Sequence, residues 1–393
     1  MTFYRIRTGA LKRTGQILRA IIFGAALLAT NTSTADDHPA LTQIGPDFNH
    51  PWGMDFLNAT TLLVTERRGA LHRLDLITGA SQIIQNAPKV YANRQGGLLD
   101  VLVGPTDGRI YLCYAKPVEG GAVTAIESAV LNGTTLTDSK TIFTANNPVR
   151  SGVHFGCRLA VPTSGPNADY LFASLGERGA RENAQNPATH AGSIIRIHLD
   201  GRVPEDNPKQ SGWQAEIYSI GHRNPQGMAV YTPSGALWTH EHGPRGGDEI
   251  NVIEAGANYG WPIVSHGKEY IGGRISKHSS LPGYSDPSWV WVPSIAPSGM
   301  AFYPDDAKMF PELAGSLLIG SLKFRRLYQV ELDAAGLPVS ERVLVDPTFK
   351  GGGIGRVRDV AIVPAGSPQA GSILLLSDEV QGGVWRLHRK NTQ

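Results

Sequence analysis

The sequence predicts an all-β fold, a six-bladed β-propeller built from four-stranded antiparallel sheets. Three observations lead to this prediction. A strand–turn–strand pattern recurs six times along the chain. Glycine (46) and proline (26) together make up about 18% of the 393 residues, against about 12% in average proteins, which favours short elements joined by turns. No stretch shows a sustained helical period.

The six copies share a Gly-containing turn followed by short apolar runs rich in strand formers, such as LLVTE, IYLCYA, YLFAS and SILLLS. They begin at Pro51, Gly96, His154, Pro225, Pro297 and Arg356. Radial repetition of such units protects strand edges, so six copies favour a propeller over a pair of β-sandwiches, which is the alternative. Uneven spacing places insertions at residues 178–192 and 262–290, and helical turns are expected only near Pro311–Ala314.

Residues 1–35 have the pattern of an export signal, which leaves residues 36–393 as a single domain. Five basic residues and no acidic residue accompany an apolar stretch at 20–29 that is too short to span a bilayer. A retained membrane anchor is the alternative. Without residues 1–35, 31 basic residues face 34 acidic ones, a net charge of −3 in place of +2, which does not indicate a nucleic-acid partner. We expect an exported, periplasmic protein without stable membrane insertion.

The chain has two cysteines, Cys113 and Cys157, which excludes a disulfide-framework fold and a Cys-rich zinc module. An oxidising compartment permits a disulfide between them. Two buried free thiols are the alternative.

Two polar stretches in the fourth copy carry chemically informative residues. Arg223 and Asn224 place a guanidinium and an amide at a strand entrance, and a guanidinium suits carboxylates and quinone oxygens; a surface turn is the alternative. Residues 241–251 and 258–262 follow, with acids, glycine turns and carbonyls of the kind that calcium binds. A polar turn capped by Asp248 is the alternative to calcium.

A histidine and a glutamate of the third copy form a candidate acid–base pair. His154 precedes a predicted strand, and Glu177 follows the next one, so hairpin pairing would bring the carboxylate to the imidazole. An imidazole oriented in this way is a suitable general base near neutral pH. The alternative is that His154 is a structural residue held by hydrogen bonds.

The last two copies add cations, Lys323, Arg356 and Arg358. The two arginines are two residues apart on a predicted strand and therefore share a face. They need an anion, either a multiply charged ligand or protein carboxylates such as Asp359 and Asp378.

Eight motifs occur in one order along the chain: HFGCRLAVP, GERG, GHRNPQGM, EHGPRGGDEIN, NYGWP, APSGMAFY, GSLKF and GRVRDV. Together they resemble the soluble, pyrroloquinoline-quinone-dependent sugar dehydrogenases, in the aldose sugar dehydrogenase branch of the glucose/sorbosone dehydrogenase family. The resemblance covers the chain from about Pro51 to Leu387. It implies a six-bladed propeller with the quinone over its axis and calcium beside it. The implied reaction oxidises the anomeric hydroxyl of an aldose to a lactone and passes the electrons to an external acceptor.

The resemblance also implies roles for individual residues. His154 is similar to the base that takes the proton from the anomeric hydroxyl, Glu177 to the acid that orients it, and Arg223 to a residue beside the developing negative charge. The residues implied at the cofactor are Gln95, Arg223, Asn224, Lys323, Arg356 and Arg358. Those implied at calcium are Gly243 and Pro244, through their carbonyls at an active-site ion, and Asp248, Glu249 and Tyr259, at a second, structural ion.

The chain departs from the glucose-specific branch in two respects. Val153 stands where that branch has an acid before the base, and the loops that build the dimer and sugar pocket look shorter. We therefore expect a monomer or weak dimer, and the preferred sugar stays open. Trp289 and Trp291 are further candidates to flank the cofactor. A calcium-dependent lactone hydrolase and a non-catalytic sugar- or protein-binding propeller are the alternative functions, because a fold does not decide function.

Overall fold

The computed structural model describes residues 39–349 and 353–389, which form six four-stranded antiparallel sheets. The predicted six-bladed β-propeller is confirmed. The signal predicted at residues 1–35 lies outside the described residues. Strands β1 to β13 are Pro39–Phe48, Pro51–Asn58, Thr61–Glu66, Leu71–Asp75, Ser81–Ile84, Leu98–Val103, Ile110–Val118, Gly121–Asn132, Thr135–Thr144, Leu159–Ala160, Tyr170–Ser174, Ser193–His198 and Ile217–Ile220. Strands β14 to β24 are Pro225–Tyr231, Ala236–Glu241, Asp248–Val252, Trp289–Trp291, Pro297–Phe302, Leu317–Ser321, Arg326–Leu332, Pro338–Val345, Val357–Ile362, Ile373–Ser377 and Gly382–Arg389.

Five blades are built from four consecutive strands, and the sixth joins distant parts of the chain. The consecutive blades are β2–β5, β6–β9, β10–β13, β14–β17 and β18–β21, and the sixth has the order β1-β24-β23-β22. Strand β1 pairs antiparallel with β24, from Pro39 opposite Arg389 to Phe48 opposite Gly382. This closure was not predicted from the sequence, although the sixth copy of the repeat contains only three strands.

The first strand of each blade lies innermost and contacts the first strand of the next. These contacts run from β2 through β6, β10, β14, β18 and β22 and return to β2, which closes the ring. Apolar side chains fill the space between neighbouring blades; Trp238 and Ile250 of one blade, for example, pack with Met300 and Leu317 of the next. Burial of each such side chain stabilises the folded protein by about 1.5–3 kcal/mol.

The predicted irregular segments lie where the sequence placed them. Residues 178–192 join β11 to β12 and contain a 3₁₀ turn at Arg181–Gln185, and a second 3₁₀ turn spans Pro311–Leu313. The long connection before Trp289 joins β16 to β17. None of the described residues belongs to a helix long and apolar enough to cross a membrane.

Cys113 and Cys157 form a disulfide, which resolves the alternative left open by the sequence. Cys113 lies on β7 in the second blade, and Cys157 lies in the loop that leads into β10 of the third. Both residues are completely buried. The bridge therefore ties the loop that carries His154 to the neighbouring blade.

The centre of the ring is filled by the buried guanidinium of Arg158. Its Nη1 lies 3.0 Å from a carboxylate oxygen of Asp100 and 3.0 Å from one of Asp359. Its Nε donates to the Gln226 carbonyl at 2.8 Å, and its Nη2 donates to the Arg358 carbonyl at 3.1 Å. One side chain thus connects the third blade to the second, fourth and sixth.

Candidate active site

The predicted site residues lie at one end of the propeller axis. Because neighbouring strands of a blade run in opposite directions, the first strand begins at the same face of the propeller at which the second strand ends. The residues at or just before a first strand are Gln95, His154, Arg223, Asn224, Arg356 and Arg358. Those shortly after a second strand are Glu177, Gly243, Pro244 and Lys323. The repeat therefore brings together side chains that lie far apart in the sequence.

Two contiguous cavities open at this face. The inner one has a volume of about 480 Å³, and the outer one has a volume of about 680 Å³. The walls of both include Gln95, His242, Ala296 and Lys323. Asn224, Arg356 and Arg358 line the inner cavity, whereas the outer cavity contains His154, Arg223, Gly243 and Pro244.

His154 and Glu177 form the hydrogen-bonded pair that the hairpin argument predicts. The imidazole Nδ1 lies 2.7 Å from Glu177 Oε1, and Gly179 N–H donates to the other carboxylate oxygen. Because an ionised carboxylate only accepts, the proton is assigned to Nδ1, which leaves the lone pair on Nε2. Among the described residues no side chain or backbone group bonds Nε2. The pair therefore presents an unprotonated nitrogen at the wall of the outer cavity.

The backbone of His154 is held in a sparsely populated conformation. Its φ is +53°, and its N–H donates to Gln95 Oε1 at 2.7 Å. A non-glycine residue in this region costs of order 1 kcal/mol or more and persists only where its surroundings fix it. Gln95, the neighbouring disulfide at Cys157 and Glu177 supply that support.

Burial lowers the pKa of His154 below its usual 6.5. The hydrogen bond to Glu177 opposes this effect, and the positive charge of Arg223 adds to it. The imidazole is therefore neutral at neutral pH, as a general base requires.

Arg178 holds the loop that contains Glu177 against the loop that contains His154. Its guanidinium donates to the Val153 carbonyl and, at 2.7 Å, to the Ser151 carbonyl, and it stacks 3.4 Å from the Phe155 ring. Burial lowers the pKa of Arg178 to about 10, so it stays charged at neutral pH. Arg178 fixes the position of Glu177 without reaching the cavity itself.

The inner cavity is lined by cations. Arg67, Lys323, Arg325, Arg356 and Arg358 contribute to its wall, together with one acid, Asp378, and the indole of Trp52. Such a wall is suited to a flat ligand with several negative charges.

The protein neutralises only part of this charge. Arg358 Nη2 lies 2.5 Å from Asp378 Oδ2, and its Nη1 donates to Gln226 at 3.1 Å. Although burial opposes it, Arg358 keeps the pKa of Asp378 well below the usual range. Asp378 thus satisfies the carboxylate alternative for Arg358, whereas Asp359 pairs with Arg158 instead. Nε of Arg358 is buried and has no partner among the described residues, and this unpaired donor fits an anionic cofactor.

Lys323 lines both cavities, and Arg223 lines the outer one. Lys323 Nζ donates to the Ser294 carbonyl at 3.0 Å. Arg223 Nη1 donates to the His242 carbonyl at 2.8 Å, and its guanidinium lies 5.4 Å from the Trp261 ring centre. Its backbone N–H donates to the buried Glu241 carboxylate, which fixes the turn before β14. Both side chains keep donors available for a bound oxyanion.

The turn at Gly243 and Pro244 has donors of the type that calcium binds. A Cβ at position 243 would lie 2.2 Å from the Gly246 carbonyl oxygen and 2.4 Å from that of Gly247, so only glycine fits among these carbonyls. Backbone carbonyl oxygens are hard ligands. The carbonyls of Gly243 and Pro244 are ligands of this chemical type, and that of Gly243 also accepts a hydrogen bond from Arg223 Nη1 at 3.4 Å.

The residues predicted for a second calcium ion have other roles in the structure. Asp248 accepts hydrogen bonds from the backbone N–H groups of Gly243, Ile295 and Ala296 and from the Ser294 hydroxyl, as in the capped-turn alternative. Burial raises the pKa of Asp248.

Glu249 lies opposite Glu241 in the sheet, and Tyr259 donates its hydroxyl to the Val252 carbonyl at 2.5 Å. Burial and then the neighbouring Glu241 raise the pKa of Glu249. Within residues 39–349 and 353–389, no three His, Cys, Asp or Glu side chains are grouped as a metal site.

The suggestion that Trp289 and Trp291 flank the cofactor is wrong. Both lie on β17, the outermost strand of its blade, and pack in the apolar cluster between two blades. The Trp291 indole N–H donates to Glu341 Oε2 at 2.5 Å. The rings of Trp52 and Phe155 line the inner cavity instead, and the sequence pattern did not point to either of them.

Several other wall residues were missed as well. They are Arg67 and Arg325 in the inner cavity and Arg245, Lys268 and Tyr270 in the outer one. Arg67 directly follows the second strand of its blade. In other blades this position contributes residues to the cavities, so the repeat could have predicted Arg67 as well. Lys268 and Tyr270 lie in the long insertion, where the sequence shows no comparable register.

The sequence is similar to that of a known family of enzymes. The Glucose / Sorbosone dehydrogenase family model matches residues 48–386. The protein named aldose sugar dehydrogenase YliI from Escherichia coli is 38% identical over 354 residues, which cover 87% of this chain and 91% of that protein. Quinoprotein glucose dehydrogenase B of Acinetobacter calcoaceticus is 26% identical over 397 residues, covering 80% of each chain.

Solved structures show the same architecture. The apo form of the soluble aldose sugar dehydrogenase from Escherichia coli has a TM-score of 0.82 at 35% identity, covering 90% of this chain and 100% of that one. The PQQ-bound form of the aldose sugar dehydrogenase from Streptomyces coelicolor has a TM-score of 0.70 at 26% identity, covering 90% of this chain and 99% of that one.

Proposed function

Because this chain belongs to the glucose/sorbosone dehydrogenase family and is a sugar-oxidising oxidoreductase, we propose that it is an exported quinoprotein that converts aldoses to lactones. The cofactor is pyrroloquinoline quinone, assisted by calcium, and the electrons leave to an external acceptor. The observation that carries the proposal is the placement of the His154–Glu177 pair beside a cavity lined by cations.

The residues of the inner cavity would hold the cofactor. Lys323, Arg356 and Arg358 would bind its carboxylates, and Gln95 and Asn224 would contact its remaining polar groups. When bound, the quinone supplies the acceptor for the hydride that leaves C1 of the sugar. The carbonyls of Gly243 and Pro244 would hold calcium.

His154 removes the proton from the anomeric hydroxyl through Nε2. As the C1–H bond breaks and its electron pair leaves with the hydride, the C1–O bond becomes the carbonyl of the lactone. Glu177 stabilises the imidazolium that forms, because its carboxylate accepts the Nδ1 proton. Arg223 lies beside the base and offers its guanidinium to negative charge that develops in the transition state.

Two features support an exported location. The Cys113–Cys157 disulfide is of the kind that persists in an oxidising compartment such as the periplasm. Residues 1–35 have the charge and apolar pattern of an export signal. We propose that the exported chain acts as a monomer or weak dimer.

The proposal is tested by reconstituting the apoprotein with pyrroloquinoline quinone and Ca²⁺ and measuring dye reduction with a panel of aldoses. We expect turnover only with both additions, and the lactone as the product in NMR spectra. No dye reduction with any aldose would overturn the proposal, and cleavage of lactones without quinone would favour the hydrolase alternative.

His154→Asn tests the role of the base. The variant should bind the quinone with the wild-type affinity by calorimetry, yet lose turnover by about a hundredfold or more. His198→Asn is the matched control, because His198 ends β12 at the opposite face of the propeller. Retained turnover in His154→Asn would remove this residue from the role of base.

A further inference from the structure

The wall of the outer cavity is strongly and uniformly positive. Of the described residues that line it, four carry positive charge, namely Arg223, Arg245, Lys268 and Lys323. None of the described lining residues is Asp or Glu. The proposed cofactor and base account for only part of this charge.

Two of the four cations have no task in the proposed oxidation. Arg223 adjoins the base, and Lys323 also lines the inner cavity. Arg245 and Lys268 line the outer cavity but not the inner one, and both are exposed. Arg245 donates to the Tyr270 carbonyl at 3.1 Å, and the Lys268 ammonium has no hydrogen bond or ion pair within the part of the chain that the structure describes.

The segment that carries Lys268 is held in place. Lys268 pairs with Arg274 in an antiparallel bridge, and Glu269 N–H donates to the Gly273 carbonyl at 2.9 Å. Arg181 binds both carboxylate oxygens of Glu269, at 2.7 and 3.3 Å. The acid next to Lys268 is thereby engaged by another cation, and the hairpin is fixed to the segment after Glu177.

We propose that the outer cavity selects aldoses that carry a negative charge at the end remote from C1, such as uronic acids and aldose 6-phosphates. This inference rests on the proposed function. His154 receives the anomeric end, whereas Arg245 and Lys268 lie in the part of the wall that the inner cavity does not share. A carboxylate or phosphate there gains charge-assisted hydrogen bonds that a neutral hydroxyl does not.

The reconstituted holoenzyme tests this selectivity with D-glucose, D-glucuronate and glucose 6-phosphate in the dye assay. At about 10 mM salt we expect kcat/KM to be about tenfold higher for at least one of the anionic sugars, and the two sugars distinguish a carboxylate from a phosphate preference. The advantage should shrink at about 0.5 M salt, because screening weakens exposed ion pairs. Dye reduction with glucose but no advantage for either anionic sugar would overturn the inference and leave the proposed function intact. No dye reduction with any of the sugars would instead contradict the proposed function.

Two substitutions test whether the Lys268 and Arg245 side chains cause the preference for an anionic sugar. Lys268→Gln and Arg245→Gln should each lower the ratio of kcat/KM between the preferred anionic sugar and glucose by about fivefold. Lys140→Gln, on β9 and exposed, is the matched control and should leave the ratio unchanged. An unchanged ratio in both cavity variants would overturn the assignment.

A binding measurement separates recognition from chemistry. Methyl β-D-glucuronide and methyl β-D-glucoside have blocked anomeric hydroxyls and serve as inhibitors of glucose oxidation. We expect the glucuronide to inhibit about tenfold more strongly, with the difference reduced in Lys268→Gln. Equal inhibition by the two glycosides would contradict a carboxylate-binding role for this wall.

Discussion

Nδ1 of His154 lies 2.7 Å from Oε1 of Glu177, although 23 residues separate the two in the sequence. Glu177→Gln should lower kcat by about a hundredfold, because the amide no longer compensates the imidazolium and can stabilise the wrong tautomer. Since Glu177 raises the pKa of His154, the acid limb of the pH–rate profile should also move to lower pH in the variant.

The control for this variant is Glu182→Gln, an exposed residue of the neighbouring 3₁₀ turn. It should leave both kcat and the acid limb in place. A Glu177→Gln enzyme with lower kcat and an unmoved acid limb would mean that the carboxylate acts on packing rather than on the imidazole.

The wild-type enzyme should keep its activity to lower pH than an ordinary histidine allows. Only neutral His154 accepts a proton, and burial keeps its pKa below 6.5. The profile of kcat/KM should therefore be flat from about pH 8 to about 6.5 and fall only at lower pH. An acid limb centred above pH 6.5 would contradict a neutral, buried base.

Arg67 and Arg325 should contribute to cofactor affinity although the sequence analysis did not single them out. Replacing either with Gln removes a cation from the inner cavity and should weaken binding of pyrroloquinoline quinone to the apoprotein about tenfold, measured by calorimetry. Arg68→Gln is the control, because Arg68 is exposed and is not among the residues that line the cavity. Equal losses at Arg67 and Arg68 would indicate a long-range charge effect rather than contact.

Loss of the disulfide should cost both stability and turnover. The bridge spans 44 residues, for which chain entropy predicts about 4 kcal/mol of stabilisation. Replacing Cys113 and Cys157 with Ala should lower the urea midpoint accordingly. Because the bridge anchors the loop of His154, kcat at 25 °C should fall as well. Unchanged kcat in the folded double variant would show that the other contacts suffice to hold the base.

Arg158→Met should be severely destabilising. The change leaves Asp100 and Asp359 buried without their cation, which costs about 3–5 kcal/mol. Burial raises the pKa of both carboxyls, to about 7 for Asp100, and the charge of Arg158 opposes the rise. Without Arg158 the folded-state pKa values rise further above the unfolded ones. The variant should therefore lose stability as the pH increases from about 4 towards 8.

Urea denaturation across this pH range measures the effect. Adding Asp100→Asn and Asp359→Asn to Arg158→Met removes the two charges that lose their partner, so the slope with pH that exceeds that of the wild type should disappear. A triple variant whose slope stays as steep as that of Arg158→Met would place the responsible groups elsewhere.

The repeat made much of this fold predictable, because each copy carries the same order of turn and apolar runs. The same regularity placed His154 and Glu177 at adjacent strand ends and thus predicted their contact. The repeat did not place Trp289 and Trp291, because an apolar residue on an outer strand has the same local pattern whether it faces a ligand or a neighbouring blade.

Other features depend on distant parts of the chain that no local pattern reports. Arg158 looks like an ordinary strand-entry residue, and its partners Asp100 and Asp359 lie 58 and about 200 residues away. Lys268 belongs to an insertion that does not follow the repeat. Its position at the cavity therefore becomes clear only from the folded hairpin.

The pairing of Pro39–Phe48 with Gly382–Arg389 constrains how the molecule is made. During synthesis, the strand that emerges early waits for a partner some 340 residues later, and until then the assembled blades keep two unprotected flanks. Ring closure therefore has to follow synthesis of β24 and depends on contacts of high sequence separation, and deletion of either partner strand would leave a chain prone to associate with its own copies.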